Sequence, residues 1–156
     1  GTVTLLTMLL NAGAIAGGLA FGAWSERVGR RRAMIVAALL ALPCIPLWTH
    51  GGSLVLLGLG AFLIQVMVQG AWGVVPTHLN ELSPGAVRGT LPGFAYQLGN
   101  LIAALTATAQ AWIAHQRCGD YAFSMASWIV VVALLLALLT WLGPEARDVS
   151  FGEGDS

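Results

Sequence analysis

The chain has 156 residues, of which 57% are hydrophobic and 9% are charged, and its formal net charge at pH 7 is zero. In soluble domains about a quarter of the residues are charged, so this composition excludes an ordinary soluble domain. The mean hydropathy of +0.79 indicates a membrane protein. The neutral charge balance gives no reason to expect nucleic-acid binding. The two separate cysteines, Cys44 and Cys118, make neither a disulfide framework nor a metal site, and no cofactor is predicted.

Five apolar stretches are long enough to cross a bilayer, since a spanning helix needs about 20 mostly apolar residues. The predicted spans are residues 2–24, 33–48, 54–79, 91–114 and 122–142, which form a predicted helical bundle over residues 1–143. Residues 144–156 are rich in glycine and acid, and we predict a disordered tail there. The predicted fold class is therefore all-α integral membrane, with about five transmembrane helices.

The first span is rich in glycine. Gly13 and Gly17, and then Gly18 and Gly22, have the G-x-x-x-G spacing that lets helix backbones approach closely. This spacing predicts tight helix packing and carries no information on a substrate.

The connection after the first span, residues 22–32, reads G-A-W-S-E-R-V-G-R-R-R. We expect Gly22 to permit close helix approach and Gly29 to adopt a left-handed turn. Glu26 is expected to cap a neighbouring helix N-terminus. The arginines Arg27, Arg30 and Arg31 are expected to anchor this connection at the membrane surface.

The connection after the third span, residues 81–89, reads E-L-S-P-G-A-V-R-G. It lies on the same side of the predicted bundle as residues 22–32. Glu81 and Arg88 are therefore expected near the charged residues of that first connection. Because the signs are complementary, we expect Glu81 to approach an arginine of the first connection and Glu26 to approach Arg88.

The arginines are distributed unequally between the two ends of the predicted bundle. Six of the seven basic residues fall on one side, and Arg117 falls on the other. The positive-inside rule makes the six-arginine side cytoplasmic, so the N-terminus is predicted outside and the C-terminus inside. Glycine stands at position 1, and the chain is expected to begin partway through a longer protein.

The two connections resemble the conserved loops of the major facilitator superfamily. Residues 22–32 resemble its signature loop, in which Gly22, Arg27, Gly29, Arg30 and Arg31 match and Glu26 replaces the usual Asp. Residues 81–89 resemble a second loop found two spans later in sugar and organic-acid carriers. The resemblance implies five helices of a six-helix half-bundle, most similar to helices 8 to 12 of the C-terminal half, with the N-terminal half missing.

Residues 69–84 and 91–100 resemble the sialate and monocarboxylate proton symporters, which include lactate and pyruvate carriers. The resemblance implies proton-coupled uptake of a small anionic substrate across a plasma or inner membrane. The implied partners of the full-length carrier are the lipid bilayer, the substrate and protons.

Substrates of such carriers bind near the bilayer midplane, where polar side chains are the candidates. Uncharged amides, phenols and indoles can donate hydrogen bonds to a carboxylate, or they can join helices together. Both roles stay open for each candidate. The candidates are Asn11, Gln65, Gln69, Trp72, Tyr96, Gln97 and Asn100.

The charged residues of the two connections, with Gly22 and Gly29, are expected to form a gate at the cytoplasmic end. His78, at the cytoplasmic end of the third span, is expected to be a solvated interfacial histidine. No catalytic motif is found, so an enzyme is not predicted. The alternatives are a sugar or aromatic-acid porter of the same superfamily, and a complete small membrane scaffold protein without transport activity.

Overall fold

The computed structural model describes residues 1–50 and 52–145, and this part of the chain is largely helical, with no β-strand. A 3₁₀ helix, Gly85–Val87, connects α3 to α4. Within the described residues the α-helices are α1 (Thr2–Val28), α2 (Arg30–Thr49), α3 (Leu54–Leu82), α4 (Leu91–Ala103), α5 (Thr106–Gln116) and α6 (Tyr121–Leu142). The predicted all-α membrane fold is confirmed. The predicted tail falls largely on residues 146–156, which lie outside the described residues.

Four of these helices, α1, α2, α3 and α6, are long and apolar enough to cross a membrane. The stretch 91–114, expected as one span, is instead formed by the consecutive helices α4 and α5, with a turn at Ala104 and Leu105 between them. Each of these two helices is shorter than the roughly 20 residues that a single span needs. They cover that length only in succession.

Helix α1 packs against α3 through glycine. A Cβ atom on Gly13 would lie 2.5 Å from the Phe62 carbonyl oxygen, and one on Gly17 would overlap the backbone of Val66. A Cβ on Gly22 would meet nothing within 4 Å, so the expected close approach at Gly22 is wrong. The close approach belongs to the Gly13/Gly17 pair because these two residues face α3.

Helix α2 lies between α3 and α6. Small buried residues, among them Ala37, Ala38 and Ala41, allow both neighbours to approach, as is typical of helices packed in lipid. One buried cluster joins α1, α2 and α3 around Phe21, Met34 and Val74, and a second joins α2 to α6. This packing holds the N-terminus of α2 beside the C-terminal ends of α3 and α6.

Helices α4 and α5 are held differently. Helix α5 packs against α6, and the Ser124 hydroxyl donates to the Gln110 carbonyl oxygen at 2.7 Å. Helix α4 has no buried residue and contacts mainly α3. Large apolar side chains are exposed along all the long helices, which is the expected surface for a bundle that faces lipid.

Candidate functional site

Most of the charged side chains in the described residues lie at one end of the bundle. Here α1 ends and α2 begins at Gly29, α3 ends at Leu82, and α6 ends at Leu142 shortly before Glu145. Gly29 is the single residue between α1 and α2. Its φ of 99° favours glycine, but its ψ of 150° differs from that of the left-handed turn expected from the sequence. We call this region the arginine-rich end.

Arg30 and Glu81 form a largely buried ion pair at the arginine-rich end. The Arg30 Nη2–Glu81 Oε1 distance is 3.0 Å, and Arg30 Nε donates to both carboxylate oxygens at 3.1 and 3.3 Å. The two side chains are only 14% and 7% exposed. Arg30 Nη1 donates to the Ser25 hydroxyl at 2.6 Å, and this hydroxyl in turn donates to the Gly22 carbonyl oxygen. The expected approach of Glu81 to an arginine of the first connection is therefore observed, and its hydrogen bonds are charge-assisted.

Glu145 caps the N-terminus of α2. Its two carboxylate oxygens accept hydrogen bonds from the backbone N–H groups of Arg30 at 3.1 Å and Arg31 at 3.3 Å. A Cβ on Gly29 would lie 2.7 Å from the Glu145 carboxylate, so glycine is needed here for space as well as for its conformation. A carboxylate at a helix N-terminus accepts hydrogen bonds from free N–H groups and interacts favourably with the helix dipole. The sequence predicted such a cap from Glu26, whereas the described cap comes from Glu145.

Arg31 ties α2 to α6. Its Nε donates to the Thr140 carbonyl oxygen at 2.9 Å and its Nη2 to that of Trp141. These carbonyls belong to the last turn of α6, where no further helix residue is available to donate to them. Arg31 and Glu145 together fix the end of α6 to the start of α2.

The other charged residues of the two connections are placed more loosely. Arg88 Nε donates to the Ser83 carbonyl oxygen at 3.2 Å, and Glu26 and Arg27 are exposed. The expected approach of Glu26 to Arg88 stays a prediction. His78 is buried, 8% exposed, and its Nδ1 has no hydrogen-bond partner within the described residues. The expectation of a solvated histidine is wrong because the α3 face that carries Val74 and Glu81 turns inward, and His78 lies on it.

The candidate pathway residues form separate small contacts. Gln65, Gln69 and Trp72 all lie on α3, and Gln65 is beside Gly13 of α1. The ring of Trp72 meets that of Tyr96 on α4, with centroids 5.5 Å apart and planes at 59°. The structure thus brings together one pair of the candidates across two helices.

The remaining candidates make contacts within their own helices. Asn100 Nδ2 donates to Gln97 Oε1 at 3.2 Å on α4, and both side chains are exposed. Asn11 Nδ2 donates to the Thr7 carbonyl oxygen at 2.9 Å on α1. Exposed amides in a membrane helix that are not buried against another helix remain available to a ligand or to another protein segment.

The sequence reasoning missed Ser25 and Glu145 at the arginine-rich end. The sequence pattern places Ser25 in the connection of residues 22–32, outside the predicted span 2–24. The helix in fact continues through Val28. Glu145 follows Pro144 directly after the last span, and a carboxylate just beyond a span was the available signal.

Comparison with known proteins agrees with this arrangement of membrane-crossing helices. Residues 2–147 match the family described as "Sugar (and other) transporter". A carboxylic acid transporter protein homolog from Saccharomyces cerevisiae is 37% identical over 72% of this chain and 18% of its own length. Quinate permease from Neurospora terricola is 30% identical over 96% of this chain and 29% of its own length. The facilitated glucose transporter member 1 of solute carrier family 2 from Gallus gallus is 32% identical over 67% of this chain and 22% of its own length.

The fold and the matched region define a multi-pass membrane protein. The chain belongs to the sugar (and other) transporter family of the major facilitator superfamily. It spans less than a third of the length of each of these three relatives.

Proposed function

We propose that this chain is part of a secondary active transporter that carries a small organic carboxylate together with protons. The observation that carries the transport role is the family match over residues 2–147. In this proposal the arginine-rich end and the C-terminus face the cytoplasm of a plasma or inner membrane, as the positive-inside rule favours.

A carboxylate is the preferred substrate class because the carboxylic acid transporter homolog is 37% identical to this chain, against 32% for the glucose transporter. Another relative is called a quinate permease. The polar side chains of α3 and α4 can donate hydrogen bonds to such a ligand, and the amides of Gln97 and Asn100 are exposed. The sialate and lactate or pyruvate type of substrate remains part of this proposal.

A sugar is the second candidate substrate. The glucose transporter relative is 32% identical to this chain, and amides beside the Trp72–Tyr96 ring pair suit a hydroxylated ligand as well as an acid. Uncharged donors do not distinguish the two classes, so the distinction requires a measurement.

The test is uptake by the intact carrier that contains this sequence, reconstituted in proteoliposomes with an imposed pH gradient. Radiolabelled lactate, quinate and glucose are compared. We expect acid uptake that increases with an inward proton gradient and that falls at least tenfold in Asn100→Leu, with Leu101→Ile on the same helix as the matched control. Glucose uptake without acid uptake would assign the carrier to sugars, and uptake of neither would contradict the proposal.

A further inference from the structure

A cavity of about 480 Å³ opens at the arginine-rich end, between the start of α2 and the end of α6. It is separate from the Arg30–Glu81 contact. Its lining residues are Val28, Arg31, Arg32, Ile35, Trp141 and Glu145.

The charged side chains that line this cavity differ in their hydrogen bonds and ion pairs. Glu145 accepts two backbone N–H groups, and Arg31 donates to two α6 carbonyls. Arg32 is exposed, and its guanidinium has no hydrogen bond or ion pair with any residue of 1–50 or 52–145. Among the described residues, two arginines and one glutamate give the lining a formal charge of +1, so an anion is favoured there.

The cavity lies at the end of the candidate spans α2 and α6. Trp141 is 64% exposed and lies one residue before the end of α6, the most apolar of the candidate spans. Tryptophan is enriched at the level of the headgroups. Val28 and Ile35 add an apolar wall beside the arginines. Basic pockets between transmembrane helices bind acidic headgroups, and a guanidinium fits a phosphate through two parallel hydrogen bonds.

We propose that this cavity binds the headgroup of an acidic phospholipid, with its phosphate on Arg32. The net positive lining favours a headgroup with net negative charge, such as phosphatidylglycerol, over zwitterionic phosphatidylcholine. The bound lipid would hold the α2–α6 corner at the membrane surface. This site does not depend on which solute the carrier moves.

The test is native mass spectrometry of the chain from detergent that contains equal amounts of phosphatidylglycerol and phosphatidylcholine with the same acyl chains. The wild-type chain should retain phosphatidylglycerol preferentially. Arg32→Gln should lower this preference about fivefold, because one arginine near an acidic surface contributes about 1 kcal/mol. Arg32→Lys should keep most of it.

Arg88→Gln is the matched control, since it removes the same charge from a position that does not line the cavity. Arg31 is left unchanged because its hydrogen bonds hold α6, and the melting temperature of each variant reports whether it is folded. An unchanged lipid preference in Arg32→Gln, or an equal loss in Arg88→Gln, would overturn the proposal. Displacement of the lipid by millimolar inorganic phosphate would assign the site to free phosphate and would also overturn it.

Discussion

At the scale of single residues, Arg30 is the centre of the arginine-rich end. Its guanidinium binds Glu81 of α3 and Ser25 of α1, and its backbone N–H binds Glu145 beyond α6. One residue therefore joins three other segments of the chain. A buried ion pair of this kind is costly to break because the remaining charge is left without its partner.

We expect Glu81→Gln and Arg30→Gln to be coupled in their effect on stability. Each substitution alone should lower the free energy of unfolding by about 1.5–3 kcal/mol, the range for a hydrogen bond to a charged group. The double variant should lose less than the sum, with a coupling energy of about 0.5–3 kcal/mol. Unfolding of the chain by urea in detergent micelles measures these values.

Arg32→Gln is the control for this cycle, since it removes the same charge two residues away without contact to Glu81. Its effect should add to that of Glu81→Gln within about 0.5 kcal/mol. Additivity in the Arg30 cycle as well would show that the pair has no energetic coupling. In the intact carrier the same pair is proposed to favour the state that is closed at the arginine-rich end, because a contact made in one state shifts the balance between states.

At the scale of helices, the sequence predicted the positions of α1, α2, α3 and α6 because apolar length is a strong signal for a membrane span. Three of them, α1, α2 and α3, extend several residues past the apolar runs at the arginine-rich end, to Val28, Arg30 and Leu82. Backbone hydrogen bonding of the helix continues there beyond the apolar residues. The turn at Ala104 and Leu105 was not predicted. Both residues are apolar and neither is glycine or proline, so the hydrophobic pattern of the sequence gives no sign of the turn.

Among the candidate site residues, motif spacing predicted which connections meet but not which atoms pair. The acid of one loop was correctly expected near an arginine of the other, because charges of opposite sign at neighbouring helix ends attract. The choice of Arg30, and of Glu145 as the cap, depends on helix rotation and on the path of the chain after α6. The spacing of residues in the sequence gives neither the rotation of the helices nor the path of the chain after α6.

The contact between α1 and α3 gives a prediction with a built-in control. Gly17→Ala should destabilise the chain by about 1–3 kcal/mol, because the added Cβ overlaps the Val66 backbone and overpacking has this cost. Gly22→Ala should be neutral or should stabilise α1 by about 0.5–1 kcal/mol, because its Cβ meets nothing and alanine is the better helix former. Thermal unfolding in micelles compares the two. Equal effects would mean that α1 does not pack on α3 through Gly17.

At the scale of the whole molecule, the described helices divide into a packed part and a loosely attached part. α1, α3, α2 and α6 share buried clusters, whereas α4 contributes no buried residue. The exposed polar side chains of Gln97 and Asn100 lie on this loosely attached helix. In the proposed carrier, this is the surface on which the rest of the protein and the solute would be received.

The proposed orientation can be tested with the native cysteine of the α5–α6 connection. Cys118 is exposed and lies at the end opposite the arginine-rich end, so an impermeant thiol reagent should label it in intact cells. In a Cys118→Ser chain, a cysteine introduced at exposed Gly85 should react only after the membrane is permeabilised. Labelling of the Gly85 position in intact cells would reverse the topology. Cys44, inside α2, is replaced by alanine in both chains.

Carboxylate uptake can be compared between cells that express residues 1–156 alone and cells that express the intact carrier. The chain covers less than a third of the length of the transporters it matches, and carriers of this kind bind substrate between repeats near the midplane. We therefore expect no uptake above background from the chain alone and saturable uptake from the intact carrier at equal membrane expression. Saturable uptake by residues 1–156 alone would contradict the proposal that this chain is only part of a carrier. No uptake of acid or sugar by the intact carrier would contradict the proposed transport function.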